Sequence, residues 1–220
     1  VDVIKNSGNI LLNIINEILD LSKIEAGQVH LDREVFELQK VVKEVISLHE
    51  INASKNELYI ISVIEEKIPK FLEGDPTRLS QVITNLVSNA LKFTDNGGIT
   101  IDVEVLEQTK ENIQLKFNVI DTGIGISKDS QDKLFKPFSQ THAAVQRKSG
   151  GTGLGLVICK NISNLMSGDI GVDSNVGKGS NFWFSANFKI PIQNKKPTQE
   201  SDNLSAMQTH NHKILLVEDN

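Results

Sequence analysis

Three short stretches combine residue types suited to holding charged ligands. The first is Asn85-Leu-Val-Ser-Asn89-Ala-Leu-Lys92-Phe93-Thr94. On a helix, Asn85, Asn89 and Lys92 fall on one side at i, i+4 and i+7. An amide oxygen suits a hard cation such as Mg2+, and a lysine ammonium suits phosphate. Polar residues on a helix are also what a solvated face looks like. Here the opposite face is wholly apolar, so the stripe has something to face. The second stretch, Asp121-Thr-Gly123-Ile-Gly125-Ile126, directly follows a strand pattern. Glycines there let backbone approach a ligand closely, and the carboxylate can accept a hydrogen bond from an amino group, such as the exocyclic amine of adenine. An ordinary β-turn has the same composition. The third, Gly150-Gly151-Thr152-Gly153-Leu154-Gly155-Leu156, runs straight into a helical pattern. Successive N–H groups at a helix start form an anion site suited to a polyphosphate. The Lys-[Ser/Thr] pair of a Walker loop is missing, as are the second half and the ribose acid of a Rossmann unit.

The elements that must position these stretches follow from periodicity. Residues 1 to about 27 read as one helix with a seven-residue apolar repeat, with Ile4, Leu11 and Ile18 on one line and Ile14 with Leu21 on the other. Gly27 is a helix stop. Such a stripe needs a partner helix or its own domain to cover it. Phe36 to Ser54 reads as a helix with Leu38, Val41, Val42, Val45 and Ile46 on one face, and Leu58 to Ile64 as a strand. Asp75-Pro76 is a helix start, a carboxylate N-cap followed by proline where its missing N–H costs nothing. Leu79, Val82, Ile83, Leu86, Val87, Ala90 and Leu91 give the helix that follows its apolar face. Strict alternation marks three strands: Ile99 to Val105, Ile113 to Val119 and Phe182 to Phe188. Alternation packs one sheet face and wets the other, which predicts a two-layer α/β sandwich with helices on a single face, not a doubly wound sheet. Residues 192–212 are polar and read as a linker, and 213–220 as an apolar strand ending in Glu218 and Asp219.

With 39% hydrophobic and 23% charged residues in 220, the composition is that of a folded globular chain. A net charge of -5 and a pI of about 5.6 argue against a nucleic-acid partner. The single cysteine, Cys159, excludes an intrachain disulfide and reads as a small buried apolar residue. No apolar run approaches the roughly 20 residues that span a bilayer, so no membrane contact is expected of this segment, and a cytoplasmic setting is. The start at Val1 and the stop after Asn220 read as cut ends of a longer protein, with any anchor upstream.

In this order and spacing the three stretches resemble the N, G1 and G2 boxes of the sensor histidine kinase ATP-binding domain. That domain belongs to the Bergerat-fold (GHKL) ATPases, which include gyrase, Hsp90 and MutL. Phe135-Lys-Pro-Phe138 resembles the F box, and Gly177-Lys-Gly179-Ser180 the G3 turn, with serine where threonine is frequent. The resemblance covers about residues 30–191. It implies that Asn89 coordinates Mg2+, that Lys92 contacts phosphate, and that Asp121 reads adenine in a pocket shaped by Gly123, Gly125 and Ile126. Gly151, Thr152, Gly153, Leu154 and Gly155 would hold the β- and γ-phosphates, with Ser180 closing the G3 turn. Residues 139–149 match the ATP lid, where Arg147 is within reach of the phosphates and His142 reads as an exposed loop residue. Asn85 stands where hydrolytic relatives carry a glutamate that activates water.

The flanks extend the resemblance. Residues 1–28 look like the second helix of the dimerisation and phosphoacceptor hairpin, and 213–220 like the first strand of a receiver domain, the mark of a hybrid kinase. Of His30, His49, His142, His210 and His212, only His49-Glu50 begins like the acceptor motif, and it continues without the proline. The acceptor histidine is therefore expected outside this chain. The implied activity is an ATP-dependent protein-histidine kinase, homodimeric when intact, passing phosphate from a hairpin histidine to a receiver aspartate. A clamp ATPase of the same fold and a nucleotide-sensing module without transfer are the rival readings.

Overall fold

The computed structural model describes residues 18–23, 26–28, 30–137, 139 and 153–191, with single positions at 8, 11, 12 and 15. Its strands are β1 (Glu34–Glu37), β2 (Tyr59–Ile64), β3 (Phe71–Gly74), β4 (Gly98–Gln108), β5 (Asn112–Asp121), β6 (Ile170–Ser174) and β7 (Ser180–Lys189). From Glu34 onward its helices are α1 (Leu38–Lys55), α2 (Pro76–Phe93), the short α3 (Lys128–Gln131) and α4 (Gly155–Leu165). The strands form one mixed sheet in the order β1-β3-β7-β5-β4-β2, with β6 also on β7. The β2–β4 pair is parallel and the other pairs are antiparallel.

Register explains why one face is dry. Val103 lies opposite Phe117, which lies opposite Phe184, and Ile101, Val119 and Phe182 form the next row. All six are buried. The Phe117 and Phe184 rings stack with centroids 4.7 Å apart, the cross-strand aromatic pairing that stabilises a sheet. Onto this face pack Leu38, Val41, Val42 and Val45 of α1, Leu79, Val82, Ile83, Leu86 and Val87 of α2, and Val157, Ile158 and Ile162 of α4. Cys159 is buried among them. The other face carries a polar row, in which Asn181 donates to Asn118 and Asn118 to Glu104. This is the two-layer sandwich that alternation predicts.

The start of α2 is fixed as its sequence predicts. Asp75 accepts the Arg78 N–H at 2.9 Å and also the Asp32 N–H at 3.1 Å. Asp75→Ala leaves both donors unpaired beside a buried position and is expected to cost about 1–2 kcal/mol. Urea denaturation checks this, and an unchanged midpoint would remove the cap from the account.

Three strands escape periodicity. β1, β3 and β6 hold 4, 4 and 5 residues, too few to show alternation. Phe36, expected in the first helix of the domain, lies in β1, opposite Leu72 and edge-on to the Phe188 ring. The helix begins only at Leu38, and its N-cap Glu37 makes no side-chain cap, so no local signal marks the start.

Residues 18–23 are helical, and Gly27, at φ +66°, ends that helix with a Gln28 N–H to Lys23 carbonyl bond of 2.9 Å. Leu21 enters the domain core and Asp20 accepts from Gln81, whereas Leu11 and Ile18 remain 59% and 45% exposed. Ile4, Ile14, the linker and the strand at 213–220 lie outside the described residues.

Candidate functional site

The apolar face of α2 is buried in the sandwich, which turns Asn85, Asn89 and Lys92 the other way. Asn89 Nδ2 donates to Asn85 Oδ1 at 3.1 Å. That bond fixes the amide's orientation and leaves Asn89 Oδ1, an oxygen suited to a hard cation, pointing away from its neighbour. Lys92 is half-buried, and its Nζ lies 5.3 Å from the centre of the Phe93 ring. Among the described residues no carboxylate pairs with it. Burial holds its pKa below the ordinary lysine value, as expected for a cation that has lost water and gained no anion.

Asp121 ends β5 and is 5% exposed. Its Oδ1 accepts the N–H of Gly123 at 2.8 Å and of Ser180 at 3.2 Å. Burial raises its pKa above the usual carboxylate value, and the Gly123 and Ser180 bonds act against that rise. The loop beyond it is gripped from two sides. Ile124 N–H bonds the Phe93 carbonyl at the end of α2, and Ile124 O accepts the Gly177 N–H from the β6–β7 turn. Gly125 sits at φ +68°, and a Cβ there would collide with the Asn175 carbonyl oxygen. Only glycine combines that conformation with that approach.

The third stretch arrives at the same helix. Gly153 takes φ +74°, Leu154 is buried, and α4 begins at Gly155 with no side chain capping its N-terminus. An added Cβ on Gly155 would strike the Asn85 amide. The first turn of α4 therefore lies directly on the Asn85 amide, with the Asn85–Asn89 pair beside the helix start.

The structure thus brings Asn85, Asn89, Gly155 and the 121–126 loop around α2. Gly151, Thr152, Arg147, His142 and Phe138 lie outside the described residues. Ser180 is buried and serves Asp121 through its N–H. Sequence reasoning missed Ser174, Gln131 and the Phe93 carbonyl, whose partners lie far along the chain except for the Ile126 carbonyl, five residues before Gln131. His49 sits on α1 with Nε2 buried and without a hydrogen-bond partner among the described residues, and burial lowers its pKa. That nitrogen is shielded from a phosphate donor.

An amide pair, a helix start without a side-chain cap and a buried carboxylate on a glycine loop meet against one helix of a two-layer sandwich, the fold of the GHKL ATPases. Residues 74–190 match the histidine kinase-, DNA gyrase B- and HSP90-like ATPase family, and the chain belongs to it. It is 44% identical over 201 residues to sensor protein GacS of Pseudomonas syringae pv. syringae, covering 91% of this chain and 22% of that protein. To the signal transduction histidine-protein kinase BarA of Escherichia coli K12 it is 43% identical over 189 residues, covering 86% of this chain and 21% of that one. The chain spans about a fifth of the length of these curated relatives. Full-length ShkA in complex with AMPPNP superposes with a TM-score of 0.76 at 28% identity, over 86% of this chain and 38% of that one. Histidine kinase ThkA in complex with response regulator protein TrrA gives 0.61 at 27% identity, over 87% and 51%. No helix among the described residues is long and apolar enough to cross a membrane.

Proposed function

We propose that this chain is the ATP-binding catalytic domain of a hybrid sensor histidine kinase. Residues 30–191 form the catalytic domain, 1–28 part of the dimerisation hairpin, 192–212 a linker and 213–220 the start of a receiver. The observation that carries the reading is the meeting at α2: its amide pair touches the first residue of α4, and its last carbonyl bonds the loop of Asp121. A base and a polyphosphate can then be held at once by one rigid helix. A relative named as a signal transduction histidine-protein kinase and a neighbour in complex with AMPPNP support the same ligand class.

In this reading Asp121 accepts a hydrogen bond from the adenine amine, beside Gly123, Gly125 and Ile126. Gly151, Thr152, Gly153, Leu154 and Gly155 offer backbone N–H groups to the β- and γ-phosphates, and Lys92 and Arg147 supply positive charge. Asn89 Oδ1 fits Mg2+: among the described residues no cluster of three His, Cys, Asp or Glu competes for a metal, and Mg2+ normally takes few protein oxygens beside phosphates and water. Bound there, Mg2+ would neutralise charge on the phosphate oxygens. The chemical step is attack of a neutral imidazole nitrogen on the γ-phosphorus, forming N–P as the bond to ADP breaks. Positioning and charge stabilisation supply most of the acceleration in such transfers. The acceptor histidine lies on the hairpin of a homodimer, and a receiver aspartate takes the phosphoryl group next. The ThkA–TrrA complex supports a response-regulator-type partner.

Calorimetric titration tests the metal assignment. ATP binding is expected to tighten several-fold when Mg2+ is added, and Asn89→Leu to erase that gain while keeping the metal-free affinity. An equal Mg2+ gain in both proteins would remove Asn89 as the ligand.

A further inference from the structure

The loop that carries Asp121 is held by two side chains to which the nucleotide reading assigns no part. Ser174 closes β6, and its hydroxyl oxygen accepts the Ile126 N–H at 2.8 Å. The same hydroxyl donates to the Gly179 carbonyl at 2.9 Å and lies 3.0 Å from Ser180 Oγ. Gln131, the last residue of α3, donates from Nε2 to the Ile126 carbonyl at 2.8 Å and to the Ser174 carbonyl at 2.9 Å. An amide nitrogen has two protons, and both are used.

Ile126 thus has its N–H held by one side chain and its C=O by another, and Gln131 also holds the residue that supplies the first. A loop following its own turn geometry would satisfy these groups locally. This one is placed by side chains from outside it. The network continues to the other end of the loop, because Ser180, in contact with Ser174, gives its N–H to Asp121 Oδ1. The carboxylate and Ile126 are therefore fixed by one connected set of bonds.

We propose that Ser174 and Gln131 are positioning residues for base recognition. They hold the 121–126 loop so that the Asp121 carboxylate meets an adenine amine, and they act on the base half of the nucleotide, not on the phosphate half at α2 and α4. The inference rests on the nucleotide reading above. Ser174→Ala removes the acceptor of the Ile126 N–H. Gln131→Glu keeps shape and size but turns a carboxylate toward two carbonyl oxygens. Each is expected to weaken ATP binding by about five- to tenfold. The preference for ATP over GTP should fall with it, because guanine presents a carbonyl oxygen where adenine presents the amine. Ser174→Thr retains the hydroxyl on a residue suited to strands and should keep both properties.

The test titrates the 220-residue chain and the three variants with Mg2+ and ATP, GTP or inorganic tripolyphosphate. Weakened ATP binding and a reduced ATP/GTP ratio, with tripolyphosphate affinity unchanged and Ser174→Thr like the unmutated chain, is the expected result. Unchanged ATP affinity and selectivity in Ser174→Ala and Gln131→Glu would overturn the inference. So would equal losses for ATP and tripolyphosphate, which is what general loosening of the fold produces. If the unmutated chain binds no ATP, the nucleotide reading fails first and takes this inference with it.

Discussion

Asp121→Asn is expected to lower ATP affinity by about ten- to hundredfold while leaving the unliganded fold at least as stable near pH 7. The two effects have one cause. Burial raises the Asp121 pKa above its ordinary value, so the folded chain favours the protonated group. Stability from that preference is complete below the ordinary carboxylate pKa and is lost as pH rises through the raised one. At neutral pH the ionised carboxylate is thus a cost carried by the empty site. Asparagine removes the charge and can keep the bonds from Gly123 and Ser180 on its own Oδ1. It also turns a donor toward the adenine amine, which needs an acceptor. For the unmutated chain, ATP affinity should fall as pH drops through the raised pKa, earlier on the way down than an ordinary aspartate would give. Calorimetry and thermal melts across pH check both halves. Equal ATP affinity in the variant would remove Asp121 from the site.

The second large effect concerns Asn85. An amide near pH 7 can orient a group but cannot take its proton. In this fold Asn85 Oδ1 already accepts from Asn89, and the first residue of α4 packs on its amide. In the proposed reading it positions groups between the metal ligand Asn89 and the phosphates, with no base beside it on the stripe. ATP hydrolysis by this chain should therefore be very slow. Asn85→Glu introduces a carboxylate that can still accept from Asn89 and can also activate water. General-base help is worth about a hundredfold or more in evolved sites. The graft should recover only part of that, since glutamate is one methylene longer and Gly155 leaves little room. Release of phosphate at an unchanged rate in Asn85→Glu would show that no water site exists opposite the γ-phosphate.

What the sequence made legible was local. The strands of Ile99, Ile113 and Phe182 are long enough for alternation to read out which face is dry. Asp75-Pro76 announced α2, and the i, i+4, i+7 spacing of Asn85, Asn89 and Lys92 marked the side of that helix turned from the core, where Asn85 meets the first residue of α4. The short strands β1, β3 and β6 gave no periodic signal, and Phe36 fitted a helical stripe until β3 supplied its strand partner. The grip on the base loop was hidden for a different reason. Ser174 lies 48 residues from Ile126 and Gln131 lies 43 from Ser174, so neither hydrogen bond leaves a trace in spacing. The contact of Gly155 with Asn85 spans the chain in the same way, and only folding shows why a glycine starts that helix.

The central claim is that the γ-phosphoryl group goes to a histidine and not to water. Incubating the chain with γ-labelled ATP, Mg2+ and a separate two-helix hairpin fragment carrying a phosphoacceptor histidine tests it directly. The account predicts acid-labile, alkali-stable label on the hairpin, none on His49, and little free phosphate. An unlabelled hairpin with brisk release of free phosphate would contradict it and identify a clamp-type ATPase instead.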